Sequence, residues 1–419
     1  MVTNAMEIDS NMNVADTANT AAQVTSQPRA QKPLHIVTMK RILLSTAGLV
    51  CLVTFLCSPQ SSGASPRHVR NGKQLFERET FAGNGRTCQT CHSRATGTVS
   101  PQDAQKRFRK DPNDPLFLRD GSDDGLGHGV TRMLKDATVL VTISLPPNVR
   151  LADDPGSRSV VLRRGIPTTL NTTALDPALM LDGRQPSLQS QAAGAILDHA
   201  QGSVPSSEEL SAIAAFEKTS DFFSSPALRH FALDQGPAPE LPQGHTASEK
   251  RGRRFFEDVP PDPAQGLKPG LCAHCHSGPL MDQTNQFARA FIPSPAPIPA
   301  GQRFTTVGVS EFNSANNPVR EFIFNPGTPQ EKHIFSPDPG RALITGIVDD
   351  PTLEQVNAFK ISALRGIWHT APYFHDNSAK TLEDVAAHYA KFFLKASGGH
   401  IDLTPQDQRD IVAFMKLLD

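Results

Sequence analysis

Apolar residues recur along this chain more often in a helical rhythm than in strict alternation. Ser206 and Glu209 form a Ser-x-x-Glu start signal, and Leu210, Ile213 and Phe216 then fall on one side of the helix they open. Thr381 and Asp384 mark another start, after which Leu382, Val385, Tyr389 and Phe392 lie at i, i+3, i+7 and i+10, on one face. Tyr389 therefore points inward, and His388 lies about 100° around the helix from it. Thr404-Pro405-Gln406-Asp407 caps a closing helix with Ile411, Val412, Met415 and Leu418 on its buried side. Short strands are expected at Val139 to Ile143. The pattern predicts an all-α fold with long loops and few short strands.

One apolar segment has a different character. It runs from Ile42 to Cys57, 16 residues, directly after Met39-Lys40-Arg41, and is short for a membrane span. With that basic start and Ser62-Gly63-Ala64 as a small-residue cleavage site, residues 39–64 read as a secretory signal peptide, with a membrane anchor as the competing reading. Residues 1–38 are a polar extension rich in Ala, Asn and Thr, so translation is expected to start at Met39 and the mature chain at about Ser65. Export to the periplasm follows from this reading.

Composition adds bounds. The 419 residues carry 41 Lys+Arg against 42 Asp+Glu, a formal net charge of -1, which gives no footprint for nucleic acid. A hydrophobic content of 38% is enough for a buried core, while 35 Pro and 29 Gly point to many turns without reaching a disordered composition. Two domains are expected, residues 65–235 and 248–419, joined by a linker over 236–247 that contains Gly236-Pro237-Ala238-Pro239-Glu240-Leu241-Pro242. A Pro-rich stretch from Phe291 to Pro339 reads as an irregular insertion.

The chemistry lies in the cysteines. Two of the six, Cys51 and Cys57, fall in the apolar run, and the other four make Cys88-Gln89-Thr90-Cys91-His92 and Cys272-Ala273-His274-Cys275-His276. Similar stretches precede them, Gly72-Lys73-Gln74-Leu75-Phe76-Glu77 and Gly252-Arg253-Arg254-Phe255-Phe256-Glu257, which suggests two copies of one unit. In an exported chain, two thiols one helical turn apart attach haem vinyl groups, and the next His is placed to bind iron. A zinc half-site would need two further ligands, and a redox pair has no need of His at the next position twice. Cys88, Cys91, Cys272 and Cys275 are thus the expected attachment points of two covalent c-type haems, with His92 and His276 as iron ligands. From spacing alone Tyr389 is either a core tyrosine or a ligand on the other face of the second iron.

Two CxxCH units followed by Thr370-Ala371-Pro372-Tyr373-Phe374-His375-Asp376 resemble the bacterial dihaem cytochrome c peroxidase and MauG family, over roughly Gly72 to Leu418. The resemblance implies a first haem that reacts with peroxide and a second that relays electrons, with Tyr389 at the position of the second haem's sixth ligand. It implies calcium held between the haems through backbone oxygens of Thr370 and Pro372. The segments Arg164 to Asn171 and Leu181 to Gln191 match those that wall the open side of the peroxidatic haem, with Gln191 at a family Gln. Ten residues later the family has Glu where this chain has Gln201, and an amide cannot cycle protons. His199, two residues earlier, is a candidate substitute, with an ordinary surface or hydrogen-bonding histidine as the competing reading. The family's inter-haem Trp has no counterpart, since Trp368 is the sole tryptophan and lies elsewhere. His128 and Met133 are candidate distal ligands of the first haem. A small electron-donor protein, a cytochrome or cupredoxin, is the implied partner, and a homodimer is an open assembly. Oxidation of another substrate, as in MauG or the dihaem rubber oxygenases, and a non-catalytic electron carrier are the alternatives.

Overall fold

Two helix crossings, each closed by a glycine, organise the chain. The computed structural model describes residues 66–259, 270–288, 299–312, 316–351 and 353–419. The extension and signal peptide expected over residues 1–64 lie outside the described residues. Helices α1 (Pro66–Arg78), α2 (Cys88–Cys91), α3 (Pro101–Lys110) and α4 (Thr131–Asp136) precede strands β1 (Thr138–Ser144), β2 (Val149–Leu151) and β3 (Ser159–Gly165). Then come α5 (Leu188–Asp198), α6 (Ser207–Thr219), α7 (Pro226–Ala232) and α8 (Ala247–Arg253). The remainder holds β4 (Phe304–Thr305), α9 (Val309–Phe312), β5 (Arg320–Phe324), β6 (Lys332–Ser336), α10 (Ala342–Thr345), β7 (Phe359–Lys360), α11 (Leu382–Ala396) and α12 (Pro405–Met415).

Helix α1 crosses α6 at Gly72, where an added Cβ would lie 1.9 Å from the Ala212 carbonyl oxygen and 2.8 Å from the Phe216 Cβ. Helix α8 crosses α12 at Gly252 with the same geometry, 1.9 Å from the Asp410 oxygen and 2.9 Å from the Phe414 Cβ. Only a residue without a side chain lets the backbones approach so closely. Four residues beyond each glycine a phenylalanine fills the seam. Phe76 packs edge-on to Phe216 at 5.7 Å, and Phe256 stands 5.1 Å from Phe414. The two similar stretches read from the sequence are thus two copies of one helix crossing.

The start signals act where the sequence places them. Thr381 and Asp384 cap α11 reciprocally, as do Thr404 and Asp407 for α12 and Ser206 and Glu209 for α6: the hydroxyl accepts from the backbone N–H three residues on, and the carboxylate accepts from the backbone N–H three residues back.

The all-α expectation holds only in part, because a β layer with a core of its own accompanies the helical cores. Strand β1 covers the stretch expected to be extended and pairs antiparallel with β3, from Thr138 opposite Gly165 to Ser144 opposite Ser159. The stretch read as an irregular insertion contains the β5–β6 hairpin, and β5 pairs with β2, Val149 opposite Phe324 and Leu151 opposite Phe322. Phe322, Ile323 and Phe324 are all buried, so this strand carries no alternation that a periodicity reading could detect. Val139, Val141, Ile143, Leu162, Phe322 and Phe324 form the core of this layer. Among the described residues no helix is long and apolar enough to cross a membrane.

Candidate functional site

Each CxxCH segment makes a single turn that sets both thiols on one side. The His92 N–H donates to Cys88 O at 3.0 Å and the His276 N–H to Cys272 O at 2.8 Å, closing i to i+4 turns. Each imidazole is then oriented by a carbonyl five residues on, His92 Nδ1 to Gly97 O at 2.8 Å and His276 Nδ1 to Met281 O at 2.9 Å. Both acceptor residues adopt the left-handed conformation, φ +62° at Gly97 and +57° at Met281. A carbonyl only accepts, so Nδ1 carries the proton and Nε2 keeps its lone pair.

Burial keeps all of these groups uncharged. It lowers the His92 imidazole and brings His276 down to about 4, against the weaker opposing effect of the carbonyl bonds. It pushes the Cys88 and Cys275 thiols up to about 12 and raises Cys91 and Cys272 as well. A reactive redox pair requires the opposite shift, toward thiolate. A zinc site requires thiolates and further donors, and among the described residues no group of three His, Cys, Asp or Glu side chains converges. The four described cysteines are free, so none is spent on a disulfide.

Each unit faces its own cavity. The first is lined by Cys88, Cys91 and His92, by Val139, Val141 and Ile166, and by Gln191, Ala195, Ile196 and His199 of α5 and its C-terminus. The second is lined by Cys272, Cys275 and His276, by Tyr389, Phe392 and Phe393 of α11, and by Met415 of α12. Gly165, Ile166, Pro167, Thr168, Leu181 and Lys360 border both, so a single thickness of chain separates them. Paired neutral thiols beside a neutral imidazole oriented through Nδ1, set in an apolar recess, fit the attachment and ligation of a haem.

An internal correspondence relates the far walls of the two cavities. The Leu179–Gln185 bridge matches the Tyr373–Ala379 bridge. Met180 and Phe374 have φ of +68° and +70°, and Gly183 and Asn377 have +71° and +57°. Ser187 then caps α5 as Thr381 caps α11. The signal was present as Leu181-Asp182-Gly183 with Ser187-Leu188, against His375-Asp376-Asn377 with Thr381-Leu382. Carried along the helices, this register sets Ala195 against Tyr389 and His199 against Phe393, and the matched crossings set Glu217 against Met415.

Of the two tyrosines, Tyr373 is anchored, its hydroxyl donating to Ile367 O at 3.1 Å. Tyr389 lies within the second cavity, and among the described residues its hydroxyl has no hydrogen-bond partner. Burial, followed by the nearby Cys275 and Cys272, raises its phenol. Its neighbour His388 is held elsewhere, Nε2 to Val307 O at 2.8 Å. Thr370 and Pro372 border the second cavity, and the Thr370 hydroxyl donates to Ile367 O at 3.0 Å.

At the first cavity the placement departs from expectation. Helix α5 ends at Asp198, and the chain turns back so that Gly202 N–H reaches Ile196 O at 3.0 Å. Gln201 sits on the outside of that turn, exposed, at φ +54°, and does not reach the cavity. His199 does. Its Nδ1 bonds Asp120, whose carboxylate also pairs with Arg86. His128 is 82% exposed and bound to Asp124, while Met133 is fully buried in the β layer, so neither distal-ligand candidate borders the cavity. Trp368 is 47% exposed against His369. Asp182 joins Arg184 and Asp338 around the buried Arg164, a structural ion cluster. Asp120 lies in a segment with no motif, and although Arg86 stands two residues before Cys88 and Glu217 directly after Phe216 of an expected helix, spacing shows neither what they touch nor that they are buried.

No family model matches the chain. The cytochrome-c peroxidase IdrP1 of Denitromonas iodatirespirans is 26% identical over 226 residues, 49% of this chain and 48% of that protein, so the chain spans about half the length of the curated relative it matches. A MauG-like protein associated with microbial copper homeostasis superposes with a TM-score of 0.46 at 20% identity, over 86% of this chain and 91% of that one. The diheme peroxidase BthA from Burkholderia thailandensis E264 gives 0.46 at 15% identity, over 84% and 86%. In its paired CxxCH units and its Thr370 to Asp376 segment the chain resembles the bacterial dihaem cytochrome c peroxidase and MauG family, and over about half its length it is similar in sequence to a cytochrome-c peroxidase.

Proposed function

We propose that the chain is a periplasmic dihaem c-type oxidoreductase that reduces hydrogen peroxide at the first cavity with electrons relayed from the second. Cys88, Cys91, Cys272 and Cys275 hold the two haems through thioethers, and His92 and His276 bind the irons. When bound, each haem supplies a one-electron centre, and an iron with a vacant face also binds peroxide. One observation carries the assignment of roles: within matched frames, α11 offers Tyr389 where α5 offers Ala195. The first cavity thereby keeps a face without a strong ligand from that helix, and the second has one.

The residues around the first cavity have defined tasks. Gln191 orients peroxide through its amide, and His199 accepts and returns a proton, a role that Gln201 cannot take from its exposed turn. Reduction of peroxide to two waters needs two electrons and two protons, and haems held at Cys88, Cys91 and His92 and at Cys272, Cys275 and His276 would, when reduced, hold the two electrons. The electron donor is a small cytochrome or cupredoxin, and the apolar Ile42 to Cys57 segment directs export. Calcium bound by the backbone oxygens of Thr370 and Pro372 belongs to the same proposal, as do cytochrome-like halves over residues 65–235 and 248–419. Tyr389 also favours a second reading, MauG-like oxidation of another substrate.

Stopped-flow spectroscopy of the fully reduced, haem-loaded protein with one equivalent of peroxide tests this. Fast oxidation of both haems is expected. Slow or absent oxidation overturns the peroxidase reading and leaves an electron carrier or an oxygen-using enzyme.

A further inference from the structure

The polar corner of the first cavity has no equivalent in the second, where Phe393 stands at the position matching His199. It is built on a buried arginine. The Arg86 guanidinium, 3% exposed, donates from Nε to Pro115 O at 2.8 Å, from Nη2 to Leu116 O at 3.0 Å and to Leu118 O, and from Nη1 to His199 O at 3.1 Å and to the Asp120 carboxylate. The Asp120 side chain is 13% exposed, and its second oxygen takes His199 Nδ1. Burial works against its charge, but the His199 bond and the Arg86 cation hold this carboxyl below its usual range. An ionised carboxylate can only accept, so Nδ1 carries a proton toward Asp120, and in the neutral ring Nε2 is the atom left with the lone pair. Among the described residues Nε2 has no partner, and the ring borders the cavity.

We propose that Arg86, Asp120 and His199 form the proton-handling unit of the first cavity, in which His199 Nε2 removes the proton from a weak neutral acid as its anion binds the iron. Asp120 is a positioning residue that fixes the tautomer of His199, and Arg86 keeps Asp120 ionised and in place. The inference deepens the peroxide reading and rests on it for the natural substrate. With peroxide, the proton leaves the bound oxygen for Nε2 and passes from there to the far oxygen. The O–O bond breaks with its electron pair on that oxygen, which departs as water. Two electrons from the reduced haems and two protons convert the remaining oxygen to the second water.

Hydrogen cyanide makes the same demand without redox chemistry, because it arrives neutral and binds as the anion. Carbon monoxide bound to the ferrous iron transfers no proton and reports access alone. In haem-loaded protein near neutral pH, His199→Gln should slow cyanide binding at the first haem by about 100-fold, within the range for a positioned acid–base group. Asp120→Asn should slow it about 10-fold, and the double variant should be no slower than His199→Gln alone, as expected of a residue acting through another. Carbon monoxide rates should be unchanged throughout. Asp120→Glu, which keeps the carboxylate, should restore part of the rate and replaces Asp120→Asn if that chain fails to fold.

Four outcomes overturn the proposal: cyanide binding as fast in His199→Gln as in the wild type, additive losses in the double variant, parallel slowing of carbon monoxide, or a first haem that binds neither ligand until His199 is removed. The last would identify His199 as an iron ligand. A wild type that ignores peroxide but shows the expected cyanide pattern sinks the peroxidase reading and supports the proton-handling unit.

Discussion

Replacing Gly72 or Gly252 by alanine tests whether the chain is built on two equal helix crossings. Each new Cβ would lie 1.9 Å from a carbonyl oxygen of the partner helix, Ala212 or Asp410. A carbon tolerates roughly 3.3 Å there, so the helices must part by about 1.4 Å. A gap of 0.5 to 1 Å already forfeits between about a quarter and a half of a dispersion contact. Phe76 and Phe216 in one seam, and Phe256 and Phe414 in the other, are buried side chains worth about 2–3 kcal/mol each. Losing about half of that packing and adding strain costs about 4 kcal/mol. Alanine returns about 1 kcal/mol through its better helix propensity. A net loss of about 3 kcal/mol is expected at either site, a fall in Tm of roughly 4 °C for a chain of this length.

Thermal and denaturant unfolding of the haem-loaded variants measures the loss, and the spectra of the separate haems locate it. Gly72→Ala should disturb the first haem and leave the second unchanged, with the reverse for Gly252→Ala. Gly194→Ala supplies the control. Its Cβ would meet only the flexible end of Gln185 at 3.0 Å, so stability should hold or rise slightly. Losses at Gly72 and Gly252 no larger than about 0.5 kcal/mol would refute the close-crossing argument.

Tyr389→Phe should change the ferric absorption of the second haem and raise its reduction potential, because an anionic phenolate favours ferric iron. Burial alone raises the phenol, so only a cation at the site makes the phenolate accessible, and an unchanged spectrum and potential would remove Tyr389 as a ligand. Glu217→Gln should flatten the pH dependence of stability. Burial lifts this carboxyl from 4.5 to about 8, so the folded state keeps its proton after the unfolded chain has lost it. The penalty is absent below about pH 4.5, grows as pH rises, and levels off above about 8, reaching about 3 kcal/mol at pH 7. Parallel stability curves for the two proteins between pH 4 and 9 would contradict it.

Much of the frame was legible because it depends on local rules. Ser206, Thr381 and Thr404 begin their helices through a hydrogen bond to the third residue on, which spacing alone reveals. CxxCH is equally local, since one helical turn places both thiols. What was not legible depended on pairing at a distance. The β5 strand shows no alternation because residues on both its faces are buried, and it pairs with β2 from the other half of the chain. Asp120 lies 79 residues from His199 in a single 3-10 turn, Arg119–Gly121, without a motif, so its bond becomes visible only once the chain is folded. Gln201 shows the limit of carrying a position over by count: one left-handed turn after α5 puts it outside and leaves His199 facing inward.

The contrast between the cavities is informative because their frames agree. Both have a glycine-closed crossing, a carbonyl-oriented imidazole and a capped helix as the far wall. Against that constant background three substitutions stand out. Ala195 replaces Tyr389, His199 replaces Phe393 and Glu217 replaces Met415. All three move the first cavity toward an open, proton-exchanging interior and the second toward a closed, apolar one. Burying Glu217 and holding an Arg–Asp–His chain cost stability unless the charges are paired or protonated, and packing alone has no use for them. An apolar surround suits a centre that only passes electrons, because it needs little rearrangement on changing charge. A polar one suits a centre at which bonds to hydrogen break and form. The divergence of two like frames in these directions is what supports assigning chemistry to the first haem and electron entry to the second.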